Sequence, residues 1–278
     1  MSASESRESV PVALVTGASS GIGWSTAKLL ALNGYRVAAT GRREDRLNRL
    51  VDEIERAGGQ AVAFPCDLTS EAERERLVHA VRERFGRIDV LVNNAGLGWF
   101  GFLTDLPAER RRAMLAVNVE APVHLISLVL PDMFARHQGY IINVASVAGH
   151  LATPSRVVYS ASKAFVQRFD EGLRRELSGS GVHVSTINPG PVRTEFRRVA
   201  IGLPTDERPE LESGVSPERV AREILGVLRA PRKSVYVPGY LRVSPFVALL
   251  LGSLMDRFGR LITAVQLRGV EKARRQVS

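Results

Sequence analysis

Short apolar runs alternate with longer amphipathic segments along most of the chain. Residues 10 to 16, VPVALVT, are rich in β-branched positions and end at Gly17, and a helical pattern begins near Ile22. A second strand-like run, residues 35 to 40, leads into RREDRLNRLVDEIERAGG, where Leu47, Leu50, Val51 and Ile54 recur at amphipathic-helix spacing and Gly58 and Gly59 close the segment. Residues 61 to 66 and 88 to 92 read as further strands, separated by a charged helical segment, and the second of them runs into Asn93-Asn94-Ala95-Gly96. Residues 114 to 130 then predict a helix, 140 to 144 a strand, 159 to 177 a helix and 182 to 187 a strand. After the break at Pro189-Gly190-Pro191, a helix around 217 to 228 and a strand at 234 to 237 complete the pattern. The alternation predicts an α/β fold: one doubly wound parallel sheet, covered by helices on both faces and joined by right-handed crossovers.

Length alone, 278 residues, allows two domains, but no composition break divides residues 10 to 239. The expected organisation is a flexible N-terminus over 1–9, a catalytic domain over 10–239 and a basic, apolar-containing helical cap over 240–278. Charge sharpens this division. Residues 1 to 228 hold 28 Lys and Arg against 27 Asp and Glu, whereas residues 229 to 278 hold 10 against 2, so the net charge of +9 belongs to the tail. A nearly neutral body argues against nucleic acid as a partner, because phosphate binding needs clustered cations. Residues 1 to 9, MSASESRES, lack the pattern of a secretory leader, which makes a cytoplasmic location the expectation. The single cysteine, Cys66, excludes an internal disulfide and reads as a packing residue.

The first strand-to-helix turn carries the first chemical signal. Thr16-Gly17-Ala18-Ser19-Ser20-Gly21-Ile22-Gly23 sets three glycines where backbone N–H groups and a positive helix end can approach phosphate oxygens. The segment lacks the Gly-Lys-Ser/Thr end of a triphosphate-binding loop, which argues against ATP hydrolysis. At the end of the second strand, Gly41 stands where a carboxylate would meet a ribose diol, and Arg42 and Arg43 follow it. This favours NADP(H) over NAD(H), without excluding the latter, because a 2′-phosphate would meet guanidinium groups rather than a repelling acid. Asp67, after the third strand, is an adenine-edge candidate that could equally cap the next helix. Asn94 is expected to link strand and loop backbones.

Ser146, Tyr159 and Lys163 form the sharpest constellation. Tyr-x-x-x-Lys places both side chains on one helical face about one turn apart, so a nearby cation can stabilise a tyrosinate. Tyr159 is the general acid/base candidate, with Lys163 expected to lower its pKa and orient ribose. Ser146, at a strand end, could polarise the substrate oxygen, and Asn118 could support a proton relay through ordered water.

These motifs together resemble the short-chain dehydrogenase/reductase family: Thr16 to Gly23, Asn93-Asn94-Ala95-Gly96, Asn118, Ser146, Tyr159-Ser-Ala-Ser-Lys163 and Pro189-Gly190, over roughly residues 10 to 239. The resemblance implies a Rossmann-like fold, NAD(P)(H)-linked oxidoreduction of an alcohol and a ketone or aldehyde, and Asn118, Ser146, Tyr159 and Lys163 as the catalytic set. It implies cofactor contacts from Thr16, Gly17, Ser19, Ser20, Gly21, Ile22, Gly23, Arg42, Arg43, Asp67, Leu68, Asn94, Ala95, Gly96, Tyr159 and Lys163. Pro189, Gly190, Val192 and Thr194 would lie near the nicotinamide, and a homodimer or homotetramer is the expected assembly.

Leu97, Trp99, Phe100 and Phe102, with His150 and Leu151, suggest an apolar substrate wall in which Ser146 and Tyr159 meet a small hydrophobic alcohol or carbonyl compound. The five histidines form no local metal motif, so no metal is expected. Because a nucleotide-binding fold does not force turnover, a non-catalytic NADP(H)-binding sensor or interaction protein is the alternative. The apolar run at 245 to 255 has 11 residues, too few to cross a bilayer, where about 20 are needed. Beside the basic tail it suggests peripheral membrane contact through residues 240–278, with a substrate cover or a subunit contact as alternatives.

Overall fold

The computed structural model describes residues 10–151, 154–200, 214–259 and 261. The stretch assigned to a flexible N-terminus, and most of the tail beyond 259, lie outside these residues. Seven parallel strands, β1 (Val12–Thr16), β2 (Arg36–Gly41), β3 (Gln60–Pro65), β4 (Val90–Asn93), β5 (Gly139–Val144), β6 (Val182–Pro189) and β7 (Ser234–Val237), form one sheet in the order β3-β2-β1-β4-β5-β6-β7. The order reverses between β1 and β4, where Ala13 faces Val90 and Val15 faces Val92. Crevices at such a reversal are where ligands bind in open parallel sheets.

Successive strand residues point to opposite faces, so a sheet buried on both sides needs apolar residues at nearly every position. One face, through Ala13, Val15, Val37, Val92 and Ile142, packs against Leu30 of α1 (Gly21–Ala31), Leu47 and Ile54 of α2 (Glu44–Arg56) and Ile224 of α8 (Pro217–Arg229). The other, through Leu14, Ala38, Leu91, Ile141 and Val184, packs against Val78 of α3 (Glu71–Phe85), Leu125 and Val129 of α5 (Ala121–Ala135) and Leu173 of α6 (Val157–Glu176). Cys66 is buried in this second layer, and burial pushes its thiol up to about 12, which fits packing rather than nucleophilic chemistry.

The helix expected over 114 to 130 is longer and broken in pitch. α4 (Ala108–Leu115) runs into a π-helical turn at Ala116–Glu120 and then into α5. This combined stretch, Ala108–Ala135, is long and apolar enough to cross a membrane, yet Met114, Val117, Leu125, Ile126, Val129 and Met133 are buried in the protein's own core. A short helix, α7 (Phe196–Ala200), follows β6, and α9 (Ser244–Arg257) extends the chain beyond the sheet, as the expected C-terminal helical extension. On the outer surface, Glu71, Glu75 and His124 bring ligand-capable atoms within 4.8 Å of one another, but His124 Nδ1 already accepts from Arg74 at 3.0 Å.

Candidate active site

The loops leaving β1 and β4 are laced together at the point of sheet reversal. Thr16 Oγ1 accepts the N–H groups of Asn94 at 2.9 Å and Ala95 at 3.0 Å, and donates to the Val92 carbonyl at 3.2 Å. Asn94 Nδ2 donates back to the Thr16 carbonyl at 2.9 Å, the strand-to-loop link expected of it. Gly17 and Gly21 adopt φ of +67° and +55°, and a Cβ on Gly23 would lie 2.3 Å from the Gly17 carbonyl oxygen, so each of the three positions requires glycine. Ser20 is the N-cap of α1, but its side chain accepts no bond from the helix amides. The first turn is therefore left without a side-chain cap, at the positive end of the helix. Thr194 closes the crevice from the other side, since a Cβ on Gly21 would come within 2.8 Å of its methyl. This cradle and its donor set fit a phosphate-bearing dinucleotide.

The two arginines at the end of β2 differ. Arg42 is exposed. Arg43 donates to Ser19 Oγ at 3.1 Å and Ser20 Oγ at 2.9 Å and pairs with Glu195 at 2.5 Å. Arg46 reaches the other Glu195 oxygen at 2.8 Å. Burial disfavours the Glu195 carboxylate, but hydrogen bonds from Arg43, Arg46 and Ser20 hold it down to about 2. Asp67 does not cap α3; Ser70 does, accepting from Glu73 N–H at 3.3 Å, while Asp67 Oδ1 accepts the N–H of Thr69 at 3.0 Å in a local turn. Leu68 is buried, and its carbonyl accepts Arg74 at 2.7 Å. Ile22 packs against the core from the first turn of α1.

The side chains expected to be catalytic lie toward the carboxyl ends of β4 and β5. Tyr159, near the start of α6, lies within reach of Ser146, which follows β5. Ser146 Oγ accepts the Ala148 N–H at 3.1 Å and lies 3.5 Å from the Pro189 carbonyl. Lys163 Nζ sits 6.0 Å from the Tyr159 ring centre and donates to the Val144 carbonyl at 2.8 Å. Burial pushes the Lys163 ammonium down to about 8. Burial likewise raises the Tyr159 hydroxyl, while the Ser146 hydrogen bond and the Arg156 guanidinium pull it down. The Arg156 guanidinium, which lines the same crevice as Tyr159, is a cation that opposes the burial of its hydroxyl.

Asn118 stands in the π turn, where bonding widens to i→i+5. Its side chain clamps the Leu97 backbone, accepting from the N–H at 2.8 Å and donating to the carbonyl at 2.9 Å, and also donates to Ser162 Oγ at 3.0 Å. It does not bond Lys163 directly; the two meet across Gly96, where a Cβ would lie 3.5 Å from both Asn118 Oδ1 and Lys163 Nζ.

Of the expected substrate wall, Trp99 lines a crevice with Leu103, Leu106, Arg156 and Tyr159. His150 bonds Tyr236 of β7, Nε2 to hydroxyl at 3.0 Å, and Leu151, next in sequence, is half-buried. Gly190 donates its N–H to the Val237 carbonyl at 2.8 Å, and Val192 pairs with Val215. Several site residues escaped sequence reasoning. Ser162 donates to the Tyr159 carbonyl at 2.7 Å, Gln167 Nε2 holds the Ser146 carbonyl at 2.8 Å, and the Phe196 ring lies 5.5 Å from that of Tyr159. Ser162 and Gln167 lie one turn on from Tyr159 and Lys163 along α6, a spacing that could have flagged them; Phe196 and Glu195 lack such a signal.

Residues 11–201 match the family model described as short chain dehydrogenase. An uncharacterized oxidoreductase of Staphylococcus saprophyticus is 44% identical over 185 residues, covering 66% of this chain and 79% of its own. A metagenomic short-chain oxidoreductase solved in complex with NADP is 33% identical, with a TM-score of 0.70 over 82% of this chain and 96% of its own. A short-chain dehydrogenase/reductase from Burkholderia phymatum, solved with NAD, is 27% identical, with a TM-score of 0.80 over 88% and 94%. With the sheet order and the glycine cradle, these matches make the chain an oxidoreductase of the short-chain dehydrogenase/reductase family.

Proposed function

We propose that the protein interconverts a hydrophobic alcohol and its ketone or aldehyde with NADP(H), residues 10–239 forming the catalytic domain. The observation that carries this reading is Tyr159 lining an apolar crevice within reach of Ser146, with Lys163 one helical turn away and its Nζ 6.0 Å from the Tyr159 ring centre. The bound nicotinamide supplies or accepts the hydride. Tyr159 delivers a proton to the carbonyl oxygen during reduction and takes one from the alcohol during oxidation, while Ser146 donates a hydrogen bond to the same oxygen. Lys163, held by the Val144 carbonyl, orients the ribose and keeps positive charge near the phenolic oxygen. Asn118 fixes the Leu97 turn beside the crevice, and its π turn positions the backbone for a water relay toward Lys163. The first turn of α1, Thr194, Asn94 and the Ala95-Gly96 turn would hold the pyrophosphate and nicotinamide arms, with Asp67 and Leu68 at the adenine edge. Arg42 and Arg43, with no acid at Gly41, favour a 2′-phosphate, and the relatives solved with NADP and with NAD are consistent with a preference rather than an exclusion.

Trp99, Leu103 and Leu106 beside Tyr159 favour an apolar substrate; His150 and Leu151 lie farther along the loop after Ser146. A panel of alcohols and carbonyls from small polar to large apolar, assayed in both directions with either cofactor, tests the proposal. The expected result is NADP(H)-dependent exchange with apolar members, abolished in Tyr159→Phe while cofactor binding persists. Exchange confined to small polar compounds would remove the apolar assignment.

A further inference from the structure

Beyond β7 the chain leaves the sheet edge, makes a 3-10 turn at Gly239–Val243 and continues as α9. Leu241 anchors this turn against Gly190, where a Cβ would come within 2.6 Å of the Leu241 side chain, and Ser244 is buried. The outward positions are large and apolar. Tyr240, Val243, Phe246, Leu249 and Leu250 are 72%, 51%, 67%, 82% and 78% exposed, and Phe258 and Leu261 extend the surface. Phe246, Leu249 and Leu250 share one helical face by their i, i+3, i+4 spacing, and Arg242 and Arg257 are exposed at its two ends. A contiguous apolar patch of this kind belongs against another apolar phase.

Charge selects among the occupants. The docking helix and the sequence that continues it, residues 240 to 278, carry 7 basic and 2 acidic residues. Pairing this face with a second copy about a two-fold axis would bring together two segments of like net positive charge, an unfavourable juxtaposition. Anionic headgroups, by contrast, neutralise the cations while the apolar face enters the acyl boundary.

We propose that α9 docks the protein in the plane of an anionic lipid surface. Resting on the oxidoreductase reading above, the substrate is then an alcohol or carbonyl compound dissolved in that bilayer. Leu241 ties the docking helix to the turn after Pro189, whose carbonyl lies 3.5 Å from Ser146 Oγ, so the catalytic crevice and the lipid surface share one hinge of chain.

Full-length protein, sedimented with phosphatidylcholine vesicles with and without phosphatidylglycerol, tests the docking. Partition onto the anionic vesicles should exceed that onto neutral ones about tenfold. It should fall about fivefold between about 0.1 M and about 1 M salt, as the screening length shrinks from about 10 Å to about 3 Å. The variant Phe246→Ser/Leu249→Ser/Leu250→Ser should lose it while retaining wild-type thermal stability and NADP+ binding. Equal retention in solution with both vesicles, or wild-type vesicle binding by a folded variant, overturns the docking. So does a wild-type mass, measured without lipid, that drops by half in the variant while neither binds vesicles, since the face would then join two copies. Turnover of a long-chain alcohol presented in vesicles tests the substrate class separately. Docking without that turnover overturns the bilayer substrate alone, and docking without turnover of any alcohol overturns the reaction.

Discussion

Arg43 is held by Glu195, a residue 152 positions away in sequence, at 2.5 Å, and the same carboxylate reaches Arg46 at 2.8 Å. The pairing separates two arginines that are adjacent in sequence. Arg43 already has a carboxylate partner, whereas exposed Arg42 needs to surrender none to meet a 2′-phosphate. Arg42→Ala should therefore weaken NADP+ about tenfold or more, the value of a charge-assisted hydrogen bond, and leave NAD+ within about twofold. Glu195→Gln should tighten NADP+ relative to NAD+ by relieving competition at Arg43. Calorimetric titration of both variants with both cofactors checks this; a Glu195→Gln variant with unaltered preference would show that the clasp plays no part in selection.

The same clasp predicts an acid dependence of stability. Glu195 ionises at about 2 in the folded chain, below its ordinary value near 4.5. Its contribution is complete above about pH 4.5 and is lost as pH falls toward 2, because the unfolded chain takes up the proton first. Urea unfolding at pH 7 and pH 3 should show a smaller loss for Glu195→Gln than for wild type.

Tyr159 supplies a kinetic test. Burial raises its hydroxyl, and the Ser146 hydrogen bond and Arg156 pull it back. Removing either opposing influence should raise it further, so the rise of alcohol-oxidation kcat/KM with pH should move to higher pH in Arg156→Met and in Ser146→Ala. Ser146→Ala should also lower kcat at the plateau about a hundredfold by removing a donor to the developing oxyanion, while Arg156→Met should keep most of it. A profile unmoved in Arg156→Met would show that its charge does not reach the tyrosine.

Asp170 lies beneath the active site, buried, bonded to Asn143 and, at 2.6 Å, to Thr186. Burial raises its carboxyl from 3.8 to about 7 against the pull of those hydrogen bonds and Arg174. Because the folded chain binds the proton more tightly, the contribution of Asp170 is greatest below about pH 3.8 and is lost as pH rises through about 7. The fall in unfolding free energy between pH 5 and pH 8 should accordingly be smaller in Asp170→Asn than in wild type.

Asn118 is 1% exposed, and both Leu97 backbone groups depend on it. Asn118→Ala would leave that N–H and carbonyl without side-chain partners, at a cost of about 2 to 4 kcal/mol. Denaturant unfolding should show this loss, and kcat should fall with it as the Leu97 turn loosens beside the crevice.

Much of the framework was legible from local order. Strands buried on both faces need near-continuous apolar runs, and every expected strand lies within two residues of its observed bounds. The glycine turn and Tyr-x-x-x-Lys were equally readable, since one depends on backbone conformation and the other on a single helical turn. Other expectations had to be adjusted. The uniform helix over 114 to 130 hid the π turn at Asn118, and Asp67 yielded its capping role to Ser70.

By itself, the sequence determined the elements, the glycine turn after β1 and the placing of Tyr159 and Lys163 on one helical face, because each rests on residues whose spacing dictates their geometry. Only the tertiary structure decided that Arg156 stands against Tyr159, which arginine is left free by Glu195, and that one face of α9 remains in water. Those outcomes depend on crossovers that bring together residues tens to hundreds of positions apart, and on the competition of charges and carbonyls for the same partner. Periodicity records which neighbours lie one turn away along a helix or one strand face apart; it carries no record of what the rest of the fold sets against them.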